Sequence, residues 1–282
     1  MERMKSNFVI FSQPRSGSSV LCSNLNHQKD IICMREIIKP RPSPRTGSSI
    51  PLGPEERKHF KKLFGDDYIR ALLKISYKNF EEYLILMSEI SNKPVFGYKI
   101  MPKQISFFKN KEIYLNYLKN NRSKIILLTR HNSLLRYISL KTARDLGFLF
   151  SSSIFTPQQK IIYQLNPIHI KYNEYKEYVN QENFNLEERK KDILLYELPH
   201  IHIKYEDLFG EKYLESMAVI YEFLNLDFKR FEDVRQINGI IVGHKKINVY
   251  NIKDKIINYE AFKKRAEENN DIETLNFLKE GS

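Results

Sequence analysis

The sequence predicts an α/β protein: a single domain over residues 1–282, built on a P-loop-like parallel sheet with helices on both faces. Three observations predict it. Short runs of Val, Ile, Leu and Phe alternate with longer stretches of helical periodicity. The runs are apolar throughout, as strands buried on both faces are, and do not alternate with polar residues. The first run, in "NFVIFSQPRSGSSVLCSNLN" at 7–26, leads through a small-residue turn directly into a helical pattern.

Taken in order, strands are expected at 8–11, 31–34, 95–100, 125–129 and 201–204. Helical periodicity falls at 18–26, 55–64, 80–90, 132–144 and 214–224, so crossover helices separate the strands. Two stretches break this rhythm. Residues 39–54, "KPRPSPRTGSSIPLGP", hold five of the 11 prolines and read as a loop, and 148–165 is irregular. The last forty residues are polar, with the run "GHKKINVYNIKDK" ahead of a final helical region. No internal repeat is present.

Composition bounds the class. Apolar residues make up 41% of the chain, with 18 Phe and 17 Tyr, which suits a sizeable core and excludes a disordered chain. Two cysteines, Cys22 and Cys33, exclude a disulfide framework and fit no zinc spacing. Lys and Arg number 46 against 34 Asp and Glu, a net charge of +12. That balance attracts phosphate, sulfate, nucleic acid or an anionic membrane surface. Many of the lysines (Lys58, Lys61, Lys62, Lys190, Lys191) lie on helical stretches, where a solvated face explains them. No apolar run approaches the ~20 residues of a membrane span. The start, "MERMKSNFVIFSQ", lacks the apolar core and cleavage site of a signal peptide. A soluble, cytoplasmic protein is expected.

The turn after the first strand carries the chemistry. A strand that enters a helix through a small-residue loop leaves several backbone N–H groups pointing at one spot. Those donors and the positive end of the helix dipole make an anion site. Gly17 permits close backbone approach, Ser18 and Ser19 add hydroxyls, and Arg15 adds a charged fork. The loop has one glycine and no Gly-Lys, so it is not a Walker A loop. A plain strand–turn–helix with serine capping is the bland alternative.

"QPRSGSSVL" resembles the 5′-phosphosulfate loop of sulfotransferases, which take sulfate from 3′-phosphoadenosine 5′-phosphosulfate (PAPS). The resemblance implies that Arg15 contacts the 5′-phosphate and the sulfuryl group, with Ser16, Gly17, Ser18 and Ser19 wrapping the phosphate. A second stretch, "KIILLTRHNSLLRYISLKTAR" at 124–144, is a strand, then Arg130, then a helix carrying Ser139. A cation at a strand end and a hydroxyl on the next helix suit a clamp for a phosphate. The pair resembles the family's 3′-phosphate motif, although Arg130 and Ser139 are nine residues apart, one more than the commonest spacing. The nearest likeness is to bacterial carbohydrate sulfotransferases, including the trehalose type, in which His131 would occupy a position where a second arginine is common. The clamp then falls on Arg130 or on its neighbour.

Two further stretches agree with that likeness: "VFGYKIM" at 95–101, and "IHIKYEDLFGEKYLESMAVIYEFLNL" at 201–226. Tyr205, Glu206 and Asp207 there are expected to shape the fold. The run "KKINVYNIKDKIINYEAF" resembles the segment that covers the nucleotide, which implies that Lys246 reaches the 3′-phosphate or the adenine side.

Sulfuryl transfer needs a group to take the acceptor proton. Glu36 follows the strand at 31–34, at a carboxyl edge where open α/β sheets bind ligands. The resemblance makes Glu36 the base, with a solvated pair to Lys39 or Arg35 as its bland alternative. His27 and His131 are the rivals. The activity implied is transfer of the sulfuryl group from PAPS to an acceptor hydroxyl, of a sugar or glycoconjugate, releasing adenosine 3′,5′-bisphosphate (PAP) with no metal. The alternatives are a P-loop-type small-molecule kinase and a non-catalytic basic protein that binds nucleic acid. The missing Gly-Lys argues against the first, and the lack of a nucleic-acid motif argues against the second.

Overall fold

The computed structural model describes residues 6–36, 84–85, 93–105, 111–146, 166–233 and 251–280. Five strands form one sheet: β1 (Ser6–Ser12), β2 (Ile31–Glu36), β3 (Val95–Ile100), β4 (Lys124–Thr129) and β5 (His200–Lys204). The order is β2-β3-β1-β4-β5 and every neighbouring pair is parallel. The expected strands therefore all form, with bounds within two residues of those read from the sequence.

β1 is central because both of its edges are paired, to β3 and to β4. Its residues alternate between two cores. Phe8 and Ile10 face one side with Ile126, Leu128 and Ile203, under α1 (Ser18–Asn26). Val9 and Phe11 face the other side with Tyr98, Ile125 and Leu127, under α2 (Lys111–Asn120). Burying each such side chain contributes about 1.5–3 kcal/mol, so the continuous apolar run of β1 serves both layers at once. Gly97 of β3 makes room for this packing, since a Cβ there would stand 2.1 Å from the Phe8 ring.

The longer of the remaining described helices complete the two layers and a third core. α3 (Ser133–Asp145) follows β4, and its N-terminus is capped by the Asn132 side chain, which accepts from the Leu135 N–H at 2.9 Å. α4 (Tyr172–Leu195) packs Ile193 into the α2 layer, and α5 (Tyr213–Phe223) packs Tyr213, Met217 and Ile220 into the α1 layer. α6 (Tyr259–Glu268) and α7 (Ile272–Glu280) join α3 and α4 in a third cluster around Leu134, Ile138, Tyr175, Phe262 and Phe277.

Helices α1, α3 and α5 fall where periodicity placed them. The expected helix at 55–64, most of the one at 80–90, and the loops at 39–54 and 148–165 lie outside the described residues. Cys22 and Cys33 are both buried. Among the described residues, no helix is long and apolar enough to cross a membrane.

Candidate anion-binding site

The site grows out of the carboxyl end of β1. Two residues of the following loop adopt left-handed backbone conformations, Arg15 at φ 62° and Gly17 at φ 83°. Alternating hands in successive residues point their N–H groups into one concavity, the geometry of an anion nest. Gly17 is the N-cap of α1 and supplies no side-chain cap, while its carbonyl accepts from the N–H groups of Val20 and Leu21. The N–H groups of Ser18 and Ser19, at the start of α1, precede any intrahelical acceptor and add donors beside the loop. Gly17 is required on two grounds, the second invisible in the sequence. Its φ disfavours any side chain, and a Cβ would stand 2.5 Å from Phe209 Cε2 and 2.8 Å from Tyr205 Cδ2.

The serines divide the work. The Ser16 hydroxyl is wholly buried and donates to the Gln13 carbonyl at 2.7 Å, so it braces the loop from beneath. Ser18 is buried at the helix start. Ser19 accepts from the Lys99 ammonium at 2.8 Å. Lys99 is 2% exposed and reaches the loop from β3, beside β1. It was not singled out in the sequence, yet a lone cation inside "VFGYKIM" was a usable signal, because a lysine in a fully buried strand needs a partner.

The second expected anchor arrives at the same place. Arg15 Nε donates to Ser139 Oγ of α3 at 2.8 Å. Arg130 Nη1 donates to the Arg15 carbonyl at 3.2 Å, and its guanidinium lies 4.3 Å from the centre of the Tyr205 ring. Arg130 and Ser139 thus converge on Arg15 in spite of the nine-residue spacing. Arg130 is buried, whereas His131 is exposed and sets its ring edge-on to Phe277. Of the two neighbours, Arg130 is the one that meets the loop.

Tyr205, Glu206 and Phe209 hold this arrangement from below. Glu206 Oε1 accepts the His131 backbone N–H at 3.0 Å, which fixes the turn between β4 and α3. The Tyr205 and Phe209 rings lie 4.6 Å apart under Gly17. Burial pushes the Tyr205 phenol above its ordinary pKa, with the Arg130 and Arg15 guanidiniums pulling the other way, so it stays a neutral platform for Arg130. The expectation that this segment shapes the fold agrees with these contacts.

β2 ends on Glu36, whose backbone pairs with Lys99 across a register shift. The Glu36 side chain and Lys246 lie outside the described residues. The groups gathered at the loop are Arg15, Lys99, Arg130, the serine hydroxyls and the backbone N–H groups, a donor-rich set that fits a ligand with several anionic oxygens. Among the described residues, no cluster of three His, Cys, Asp or Glu side chains could hold a metal ion.

Fold and loop together define a parallel α/β protein with an anion nest at the carboxyl edge of its central strand. No protein-family model and no curated protein matches the chain. Among solved structures it is similar to the sulfotransferase domain from the curacin biosynthetic pathway, with 18% identity, 86% of this chain and 83% of that one covered, and a TM-score of 0.43. It is also similar to the mouse sulfotransferase SULT7A1 complexed with PAP, with 13% identity, 98% and 89% covered, and a TM-score of 0.42. At these scores neither neighbour carries a functional argument, which rests on the loop and its surroundings.

Proposed function

We propose that the protein is a sulfotransferase that moves the sulfuryl group of PAPS to an acceptor hydroxyl, with a sugar or glycoconjugate as the acceptor class. The observation that carries this reading is the convergence of Arg15, Arg130 and Ser139 on one loop. A donor with phosphate on both the 5′ and 3′ oxygens of one ribose needs two clamps within a nucleoside's width of each other. The nest and the start of α1 suit the 5′-phosphosulfate, and Arg130 with Ser139 suits the 3′-phosphate.

In the reaction, the acceptor oxygen forms a new S–O bond while the S–O bond to the 5′-phosphate breaks. The phosphate leaves with the bonding pair, and the hydroxyl proton passes to a base. Arg15 and the loop N–H groups stabilise charge that develops on the sulfuryl and bridging oxygens. Lys99 supports the loop through Ser19 and adds positive charge beneath it. Glu36 is the proposed base; its place at the end of β2, paired with Lys99, supports this. Lys246 is assigned to the 3′-phosphate or adenine side on the resemblance alone.

The reading is tested by incubating the purified protein with PAPS and a panel of sugars, glycosides, phenols and amines, and following PAP release and product mass. Acceptor-dependent PAP release with a product heavier by one sulfuryl group is expected. Phosphoryl transfer from ATP, with no turnover of PAPS, would favour the kinase alternative.

A further inference from the structure

Beside the anion loop lies a second group of polar side chains that the proposed reaction does not use. Arg136 of α3 is 2% exposed, and its Nε has no hydrogen-bond partner among the described residues. Its guanidinium lies 5.5 Å from the centre of the Tyr178 ring of α4. The Tyr178 hydroxyl is buried and feels the Arg136 guanidinium as a donor, while its own proton has no acceptor among the described residues. The charged groups that act on this phenol are Arg136, Glu182 and Arg130, two cations against one carboxylate. Burial holds the phenol well above its ordinary pKa, so the hydroxyl keeps its proton and remains a donor.

The group borders the anion loop directly. Gln13 Nε2 donates to the Glu182 carbonyl at 3.4 Å, and the Gln13 carbonyl takes the Ser16 hydroxyl at 2.7 Å. Arg136 stands one helical turn before Ser139, which receives Arg15. A buried guanidinium nitrogen and a buried phenol that both lack acceptors are costly in a closed core. Their natural complement is a group that brings two anionic oxygens.

We propose that Arg136 and Tyr178 are the donors of a buried oxyanion subsite next to the loop, built to take a carboxylate, phosphate or sulfate group of a ligand. Two sources fit the same chemistry: a phosphate of the nucleotide, or an anionic group on the acceptor. Which source applies rests on the sulfuryl-transfer reading, whereas the preference for an oxyanion does not.

The test uses Arg136→Met and Tyr178→Phe, which keep most of the packed volume. Without ligand, both variants should fold and melt within a few degrees of the wild type, because only the contact between these two side chains is lost. A clear fall for both would make the pair structural and overturn the proposal. Inorganic phosphate is then titrated calorimetrically into the wild type and both variants. The unliganded wild type should bind one more phosphate than Arg136→Met, or bind it at least tenfold more tightly. Equal binding by all three proteins would overturn the proposal. The source is read by repeating the titration with adenosine 3′,5′-bisphosphate bound. If the acceptor brings the anion, the wild type still takes phosphate and Arg136→Met does so at least tenfold more weakly. If the nucleotide brings it, phosphate no longer binds and Arg136→Met weakens the bisphosphonucleoside itself at least tenfold. A wild type that ignores the bisphosphonucleoside would defeat the sulfuryl-transfer reading alone, since the phosphate titration still decides the subsite.

Discussion

Replacing Gly17 with alanine adds one methyl group at the tightest point of the loop. Two costs follow from the geometry. The residue sits at φ 83°, and holding an L side chain in that region costs about 1–2 kcal/mol. The new Cβ would meet Phe209 Cε2 at 2.5 Å and Tyr205 Cδ2 at 2.8 Å, so the ring pair has to shift. Overpacking of that kind costs about 1–3 kcal/mol. Together these predict a loss of roughly 2–5 kcal/mol, or a melting point lower by roughly 4–20 °C. The same ring pair supports Arg130, so binding of adenosine 3′,5′-bisphosphate should weaken with the fold. Urea and thermal unfolding of Gly17→Ala, Phe209→Ala and the double variant separate the two costs. Removing the Phe209 ring should recover part of the overpacking, giving a coupling of about 1 kcal/mol or more between the sites. The φ cost and the Tyr205 contact remain. A Gly17→Ala protein with wild-type stability and nucleotide affinity would refute the reasoning, and strict additivity would remove Phe209 from it.

Three other outcomes are expected. Lys99→Met should leave the sheet intact but lower sulfuryl transfer and loosen nucleotide binding, measured by steady-state kinetics and calorimetry; unchanged values for both would show that the Lys99–Ser19 bond is only a packing contact. Glu36→Gln should keep affinity for the bisphosphonucleoside and cut transfer by ~10²–10⁴-fold, the usual worth of a general base; full activity toward a good acceptor would move the base elsewhere, with His131 the next residue to mutate. Burial raises the phenol pKa values of Tyr98 and Tyr114 above the ordinary 10.0. The native state therefore keeps protons that the unfolded chain loses above about pH 10, and stability that is complete below that pH falls as pH rises through the raised values. Urea midpoints measured between pH 8 and 11 should drop at the alkaline end, and a flat profile would contradict the burial of this pair.

The strands were legible because each is apolar throughout and therefore buried on both faces, and the loop was legible because its residue types are all donors. Helix α4 was not. Its buried stripe runs through Tyr175, Val179, Glu182, Arg189, Asp192 and Ile193, and three charges in that stripe erase the hydrophobic periodicity on which a helix is recognised. Arg189 illustrates the cost of such a position: burial lowers its pKa to about 10, and its guanidinium rests 4.8 Å from the centre of the Phe11 ring. The role of Lys99 is hidden for a related reason, since its partner Ser19 lies 80 residues earlier in the chain and meets it only through the pairing of β3 with β1. The convergence of Arg130 and Ser139 on Arg15 depends on β4 lying beside β1, a long-range pairing that residue spacing does not encode. The role of Tyr205 and Phe209 beneath Gly17 is likewise tertiary, joining residues almost two hundred positions apart.

The most direct measurement is calorimetric binding of adenosine 3′,5′-bisphosphate against adenosine 5′-phosphate and magnesium ATP, on the wild type and on Arg130→Ala. With the two clamps at one loop, the bisphosphonucleoside should bind at least tenfold more tightly than either competitor, and Arg130→Ala should remove most of that margin. Equal affinity for all three ligands, or a margin that survives the loss of Arg130, would contradict a site built for a nucleotide with both 5′ and 3′ anions.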